Sequence, residues 1–80
     1  MTQEEATELR NRITRSGWSW AGDPVLNTNS MWVVGYQLAG ETIGSQAFAR
    51  DREIHSVADE EKFVRDLEES IGLGRLSFLD

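Results

Sequence analysis

Asp51, Glu53 and His55 alternate along the chain, and Asp59 follows four positions later. In an extended segment the first three project to one side, and two carboxylates with an imidazole have the donor chemistry of a divalent-cation site. His55 is the single histidine and the chain has no cysteine. No second nitrogen or thiolate is therefore available to complete a tight coordination shell. Acidic and polar residues also gather before a helix N-terminus because the dipole and the solvent favour them there. The expectation is no metal and no cofactor.

Other catalytic chemistry is equally thin. The lone His55 has no serine in a glycine-flanked elbow, and no glycine-rich loop precedes a helix with a lysine to cradle phosphate. The carboxylates Asp59, Glu60, Glu61, Asp66, Glu68 and Glu69 crowd one short segment, where solvent keeps them ordinary acids. The chain is expected not to be an enzyme, and its function is sought in binding.

Thr2 and Glu5 have the spacing of an N-terminal capping box, and Ser56 and Asp59 repeat it with the shorter acid. A helix is expected from Thr2 to about Ser16, with Ala6, Leu9 and Ile13 as a narrow apolar stripe and Gly17 as its left-handed cap. Glu4, Glu5 and Glu8 occupy its first half and Arg10, Arg12 and Arg15 its second, each sign where the dipole favours it. The second helix is expected from about Val57 to Ile71, burying Phe63, Val64, Leu67 and Ile71 and stopped by Gly72. On its wet side Glu61 with Arg65, Lys62 with Asp66 and Arg65 with Glu69 have ion-pair spacing.

Between the helices the periodicity changes to two. Trp18 to Ala21 alternates large and small and reads as a short strand ended by the turn residues Gly22, Asp23 and Pro24. Met31 to Ala39 is the strongest strand, with Trp32, Val34, Tyr36 and Leu38 on one side and Met31, Val33, Gly35 and Gln37 on the other. Both sides are partly apolar, as in a central strand. Gly40 and Glu41 turn the chain into a third strand from about Thr42 to Arg50, where Gly44 reads as a bulge or a close approach.

The expected fold is α+β, in the order helix, three-stranded antiparallel meander, helix, with both helices on one face of the sheet and an apolar C-terminal tail. The 80 residues suit a single small domain. Leu73, Leu76, Phe78 and Leu79 make the tail too apolar for a frayed end, so it must pack, either on its own core or on a second copy. The sheet's second face is left poorly covered, and that surplus apolar surface is the best functional clue.

Fourteen acidic residues against eight basic ones give a formal charge of −6, which disfavours phosphate backbones and anionic membranes. The absence of cysteine and of a hydrophobic leader points to a cytoplasmic chain with no membrane partner. The order of elements resembles that of double-stranded RNA-binding domains, and the likeness spans most of the chain. Such domains bring a basic cluster to the start of the second helix. The corresponding positions, Val57 to Lys62, hold Asp59, Glu60 and Glu61 against Lys62. The layout is similar and the charge is opposite, so RNA binding through that surface is not expected. A nucleic-acid alternative rests on Arg10, Arg12 and Arg15.

The expected function is protein binding. The partner surface is assigned to Glu61, Glu68 and Glu69 for steering and to Trp18, Trp20, Trp32 and Tyr36 for affinity. Glu68 and Glu69 lie near a helix C-terminus, where the dipole disfavours them. In size, charge and lack of catalytic chemistry the chain is similar to phage-encoded inhibitors of host machinery, such as anti-CRISPR proteins, which occlude nucleic-acid-binding surfaces. The alternative is a self-associating accessory protein, a homodimer joined through the aromatic face and the tail residues Leu73, Leu76, Phe78 and Leu79.

Overall fold

Thr2 opens the first helix through a complete capping box. Its hydroxyl accepts the Glu5 amide at 3.2 Å, and the Glu5 carboxylate accepts the Thr2 amide at 3.2 Å. In the computed structural model, which describes residues 1–72 and 74–79, this helix, α1, spans Gln3–Asn11. It ends earlier than its apolar stripe suggests. Ile13 and Thr14 follow, two β-branched residues that lose side-chain freedom in a helix, and they form a short strand, β1 (Ile13–Thr14). Gly17 consequently does not cap α1; it turns the chain, with φ near 84°, into the next strand.

That strand, β2 (Trp18–Leu26), runs through the expected turn. Its register against β3 (Met31–Leu38) jumps from Ala21↔Gly35 to Val25↔Val33, so Gly22, Asp23 and Pro24 together span Val34. Pro24 lies in this irregularity, where its missing N–H costs no ladder bond. The β2–β3 turn is built by Asn27, whose side-chain oxygen accepts the Asn29 and Met31 amides at 2.9 and 3.0 Å. Ser30 takes the left-handed conformation there. The third strand, β4 (Ser45–Arg50), is shorter than expected. Thr42 to Gly44 lie outside it, the β3–β4 register is regular, and a Cβ on Gly44 would make only an ordinary contact with the Tyr36 carbonyl at 3.6 Å, so Gly44 marks neither a bulge nor a close approach.

The second helix, α2 (Val57–Ile71), has its expected bounds. Ser56 caps it by accepting the Asp59 amide at 3.3 Å, while the Asp59 carboxylate reaches one residue further back, to the His55 amide at 2.9 Å. Gly72 closes it in the left-handed region. The chain returns as β5 (Ser77–Phe78), which pairs antiparallel with β1 through Ile13↔Phe78 and Thr14↔Ser77. The observed order is therefore α1-β1-β2-β3-β4-α2-β5, with a central antiparallel sheet β2-β3-β4 and a second, two-stranded sheet that periodicity alone did not suggest. The result is a compact α+β domain of two helices and a three-stranded antiparallel sheet with this small addition.

One core cluster joins Ala6 and Leu9 of α1, Trp32, Val34 and Tyr36 of β3, Ala47 and Ala49 of β4, and Phe63, Val64 and Leu67 of α2, together with Ile13 and Leu76. The two alanines of β4 are small where α2 comes close, and Phe63 and Leu67 fill the space that results. The outer edge of β4 is also tied to α2. The Phe48 amide donates to Ser70 Oγ at 2.8 Å and the Arg50 amide to Asp66 Oδ2 at 3.3 Å. Two outward strand amides thus end on helix side chains, which guards that part of the edge against other strands. At the opposite edge, α1 binds the irregular part of β2 through Gln3 Nε2 to the Pro24 carbonyl at 3.0 Å and through Arg10 to the Gly22 carbonyl. Among the described residues no helix is long and apolar enough to cross a membrane.

Candidate interaction surfaces

The alternation of β3 sorts its side chains between two environments. Trp32, Val34 and Tyr36 enter the core, whereas Met31, Val33 and Gly35 remain half-exposed and Gln37 is exposed. Register carries the same division across the sheet. Val25, Val33 and Phe48 are Cα partners in sequence and form one apolar row across all three strands on the outer face. Val25 is 58% exposed and Phe48 38%. Below the row Met31 pairs with Arg50, and above it the outer face turns small and polar through Ala21, Gly35, Gln46, Ser19 and Gln37. A shallow hollow of about 300 Å³ continues the row past Met31 and Phe48 to Glu69 and Ser70 of α2.

The aromatic residues expected at a partner surface lie elsewhere. Trp32 and Tyr36 are 3% and 8% exposed and belong to the core, which corrects their assignment to an exposed patch. Their strand positions face the core cluster, where large rings bury the most apolar area. Trp18 and Trp20 share that side, as Trp18↔Leu38 and Trp20↔Tyr36 pairing requires, and are half-buried. The two indoles stack edge-on with centroids 4.4 Å apart, and Trp18 meets Tyr36 in the same way at 5.9 Å. Trp20 Nε1 donates to the Ile13 carbonyl at 3.0 Å, which fastens β1 to the main sheet.

The three acidic residues assigned to the same patch also separate. Glu61 and Glu68 line a groove between α2 and β5, with a volume of about 560 Å³, together with the tail residues Leu76, Phe78 and Leu79. Glu69 faces the other way, beside Met31 and Phe48. Consecutive helical positions are about 100° apart, so Glu68 and Glu69 serve different surfaces. Within the tail, Leu76 is buried in the chain's own core, Phe78 is half-buried with the Arg12 guanidinium 5.3 Å from its ring centre, and Leu79 is exposed. Leu73 lies outside the described residues.

The arginines do not form a basic patch. Arg10 is buried and spends its guanidinium on the Gly22 carbonyl and the Asn11 side chain. Burial lowers its pKa, against a smaller opposing effect of Asp23. Arg12 makes a two-pronged pair with Glu60 at 2.9 and 3.1 Å, and that hydrogen bonding raises its pKa. Arg15 reaches the Arg75 carbonyl. The expected ion pairs along α2 give way to longer-range ones: Asp66 pairs with Arg52, and none of the three helical pairs forms among the described residues.

The acidic segment before α2 is similarly dispersed. Asp51 accepts Trp32 Nε1 at 3.1 Å and the terminal amine at 3.2 Å. Partial burial works against its charge, but these hydrogen bonds outweigh the burial and hold its pKa below the ordinary value. Glu53 meets His55 Nε2 at 2.8 Å. Asp59 is held low chiefly by the His55 amide. Among the described residues no three acidic or histidine side chains converge as metal ligands would.

The outer row was the surface hardest to find from sequence. Val25 follows turn-type residues in sequence, and that composition hides its pairing with Val33. The available signal was Phe48 between Ala47 and Ala49, a large residue alternating with small ones that a close helix would need. Compared with known protein families, with curated proteins and with solved structures, the chain matches none.

Proposed function

We propose that this chain is a small acidic protein-binding module that acts by docking and not by catalysis, with the outer face of its sheet as the docking surface. The Val25, Val33 and Phe48 row carries the reading: a cross-strand apolar stripe on the side of the sheet away from the core cluster. The core cluster supports it: apolar residues of both helices gather with Trp32, Val34, Tyr36, Ala47 and Ala49, and Val25, Val33 and Phe48 are not among them. The net charge of −6 favours a partner whose apolar contact is bordered by basic residues, and in the hollow beside the row Asp66 and Glu69 outnumber Arg50. A nucleic-acid-binding surface has that character, so an inhibitor that occludes one, in the manner of a phage-type anti-CRISPR protein, is the finer form of this reading. The cytoplasm is its site of action.

The test is affinity capture from the native cellular context, with nuclease treatment, comparing the wild-type chain with a Val25→Glu/Phe48→Glu double variant. The expected result is a stoichiometric, nuclease-resistant protein partner held by the wild type and lost by the variant, with the circular dichroism of the two unchanged. Retention of the same partner by the variant, or release of all partners by nuclease, would overturn the assignment.

A further inference from the structure

The groove between α2 and β5 is separate from the sheet face and has a different electrostatic character. Its floor is Val64 and Leu76, both buried, and Val57 and Leu79 stand at its margin, 68% and 57% exposed. Around them, among the described residues, are three acids, Glu60, Glu61 and Glu68, and three bases, Arg12, Arg65 and Arg75. The chain as a whole has fourteen acids to eight bases. Among the described residues the groove is therefore a charge-balanced zone on a strongly acidic molecule.

We propose that this groove is the contact surface of a homodimer, occupied by a second copy of this chain with the two α2 helices antiparallel. Two copies of a −6 chain repel one another, and they approach at least cost where each presents no net charge. A mixed rim is also complementary to itself under a two-fold rotation, whereas a uniformly basic or acidic partner meets three like charges there. Arg12 is already paired with Glu60, which leaves Glu61, Arg65 and Glu68 on the helix and Arg75 on the tail as the remaining charged positions of the groove among the described residues. Glu61 and Arg65 are four residues apart on one helix face. An antiparallel approach whose two-fold axis passes midway between Glu61 and Arg65 on the groove side of the helix sets Glu61 of each copy against Arg65 of the other, giving two identical ion pairs from one contact. The same approach takes Val57 and Leu79 out of water.

Sedimentation equilibrium of the intact protein over a range of concentrations tests this with exposed rim positions that leave the core alone. The wild type is expected to dimerise. Arg65→Glu turns both attractive pairs into repulsive ones and is expected to weaken dimerisation about tenfold or more. The double reversal E61R/R65E re-creates both pairs in the opposite sense and is expected to restore it, with circular dichroism showing all three folded. A wild type that stays monomeric overturns the proposal, as does R65E self-association equal to wild type, or a double reversal that fails to rescue the single one. Dimerisation lost in the Val25→Glu/Phe48→Glu variant but kept in R65E also overturns it, by moving the seam to the sheet.

Discussion

A Cβ built on Gly35 would lie 2.5 Å from the carbonyl oxygen of Ala21 on the neighbouring strand. The crowding arises where β2 leaves regular pairing with β3, immediately before Gly22 to Pro24 span a single partner residue. The obstructing atom belongs to the backbone, so no side chain can rotate to make room. Gly35→Ala is expected to cost about 1–3 kcal/mol through forced displacement of the strand. Urea unfolding measures it, and a stability equal to wild type would show that β2 is free to move.

Asp51 ties the buried indole of Trp32 to the connection before α2. Its pKa is lower folded than unfolded, so the unfolded chain binds the proton more readily across the interval between the two values. The stability it contributes is complete above its unfolded value near 3.8 and is lost as pH falls through the folded one. Asp51→Asn keeps an acceptor for Trp32 but removes the charge, and is expected to cost about 1–2 kcal/mol at neutral pH. The variant should also lose less stability than wild type as pH falls from the unfolded value near 3.8 through the lowered folded one, the window set by the direction of the shift. Urea midpoints at both ends of that window check the sign.

The edge of β4 is guarded by α2 side chains at Phe48 and Arg50, and each bond can be removed separately. Ser70→Ala removes the acceptor of the Phe48 amide, and Asp66→Ala removes that of the Arg50 amide together with the partner of Arg52. Each is expected to cost about 1 kcal/mol. In hydrogen exchange followed by NMR, the Phe48 amide should exchange faster in the first variant and the Arg50 amide in the second. Asp66→Ala should also aggregate more readily, because an open strand edge is a template for pairing.

Leu76 and Leu79 lie three residues apart in the tail and have opposite surroundings, one buried in the core and the other exposed. Leu76→Ala is expected to cost about 2–4 kcal/mol, and Leu79→Ala to stay within about 0.5 kcal/mol of wild type for the monomer. Thermal unfolding at low protein concentration separates them. Equal effects would mean that the tail does not dock as a unit on the core.

Some of this architecture is written in local signals. The two caps at Thr2 and Ser56, the left-handed stop at Gly72, the full extent of α2 and the alternation of β3 each depend on residues within a few positions of one another. Such signals survive out of context because a cap or an amphipathic period is satisfied by its own segment plus any apolar surface. The misreadings have a common origin. Ile13 continues a helical stripe in sequence, yet its partner is Phe78, 65 positions away and invisible to any periodicity. Gly22 to Pro24 has turn composition, yet Arg10 and Gln3 of α1 hold both ends of the segment as a strand irregularity.

The sequence by itself determined an acidic chain without cysteine or a nucleophile–base motif, with two capped helices around a β segment whose central strand has two partly apolar sides. Those properties are sums over residues or over short windows, so no folding is needed to read them. Only the tertiary structure decided that Trp32 and Tyr36 face inward while Val25, Val33 and Phe48 line up outward, because strand register converts one residue of offset into a change of face. It also sent Glu68 and Glu69 to different surfaces and set Glu61 beside the tail, since helix rotation and chain return place residues by geometry that sequence distance does not encode.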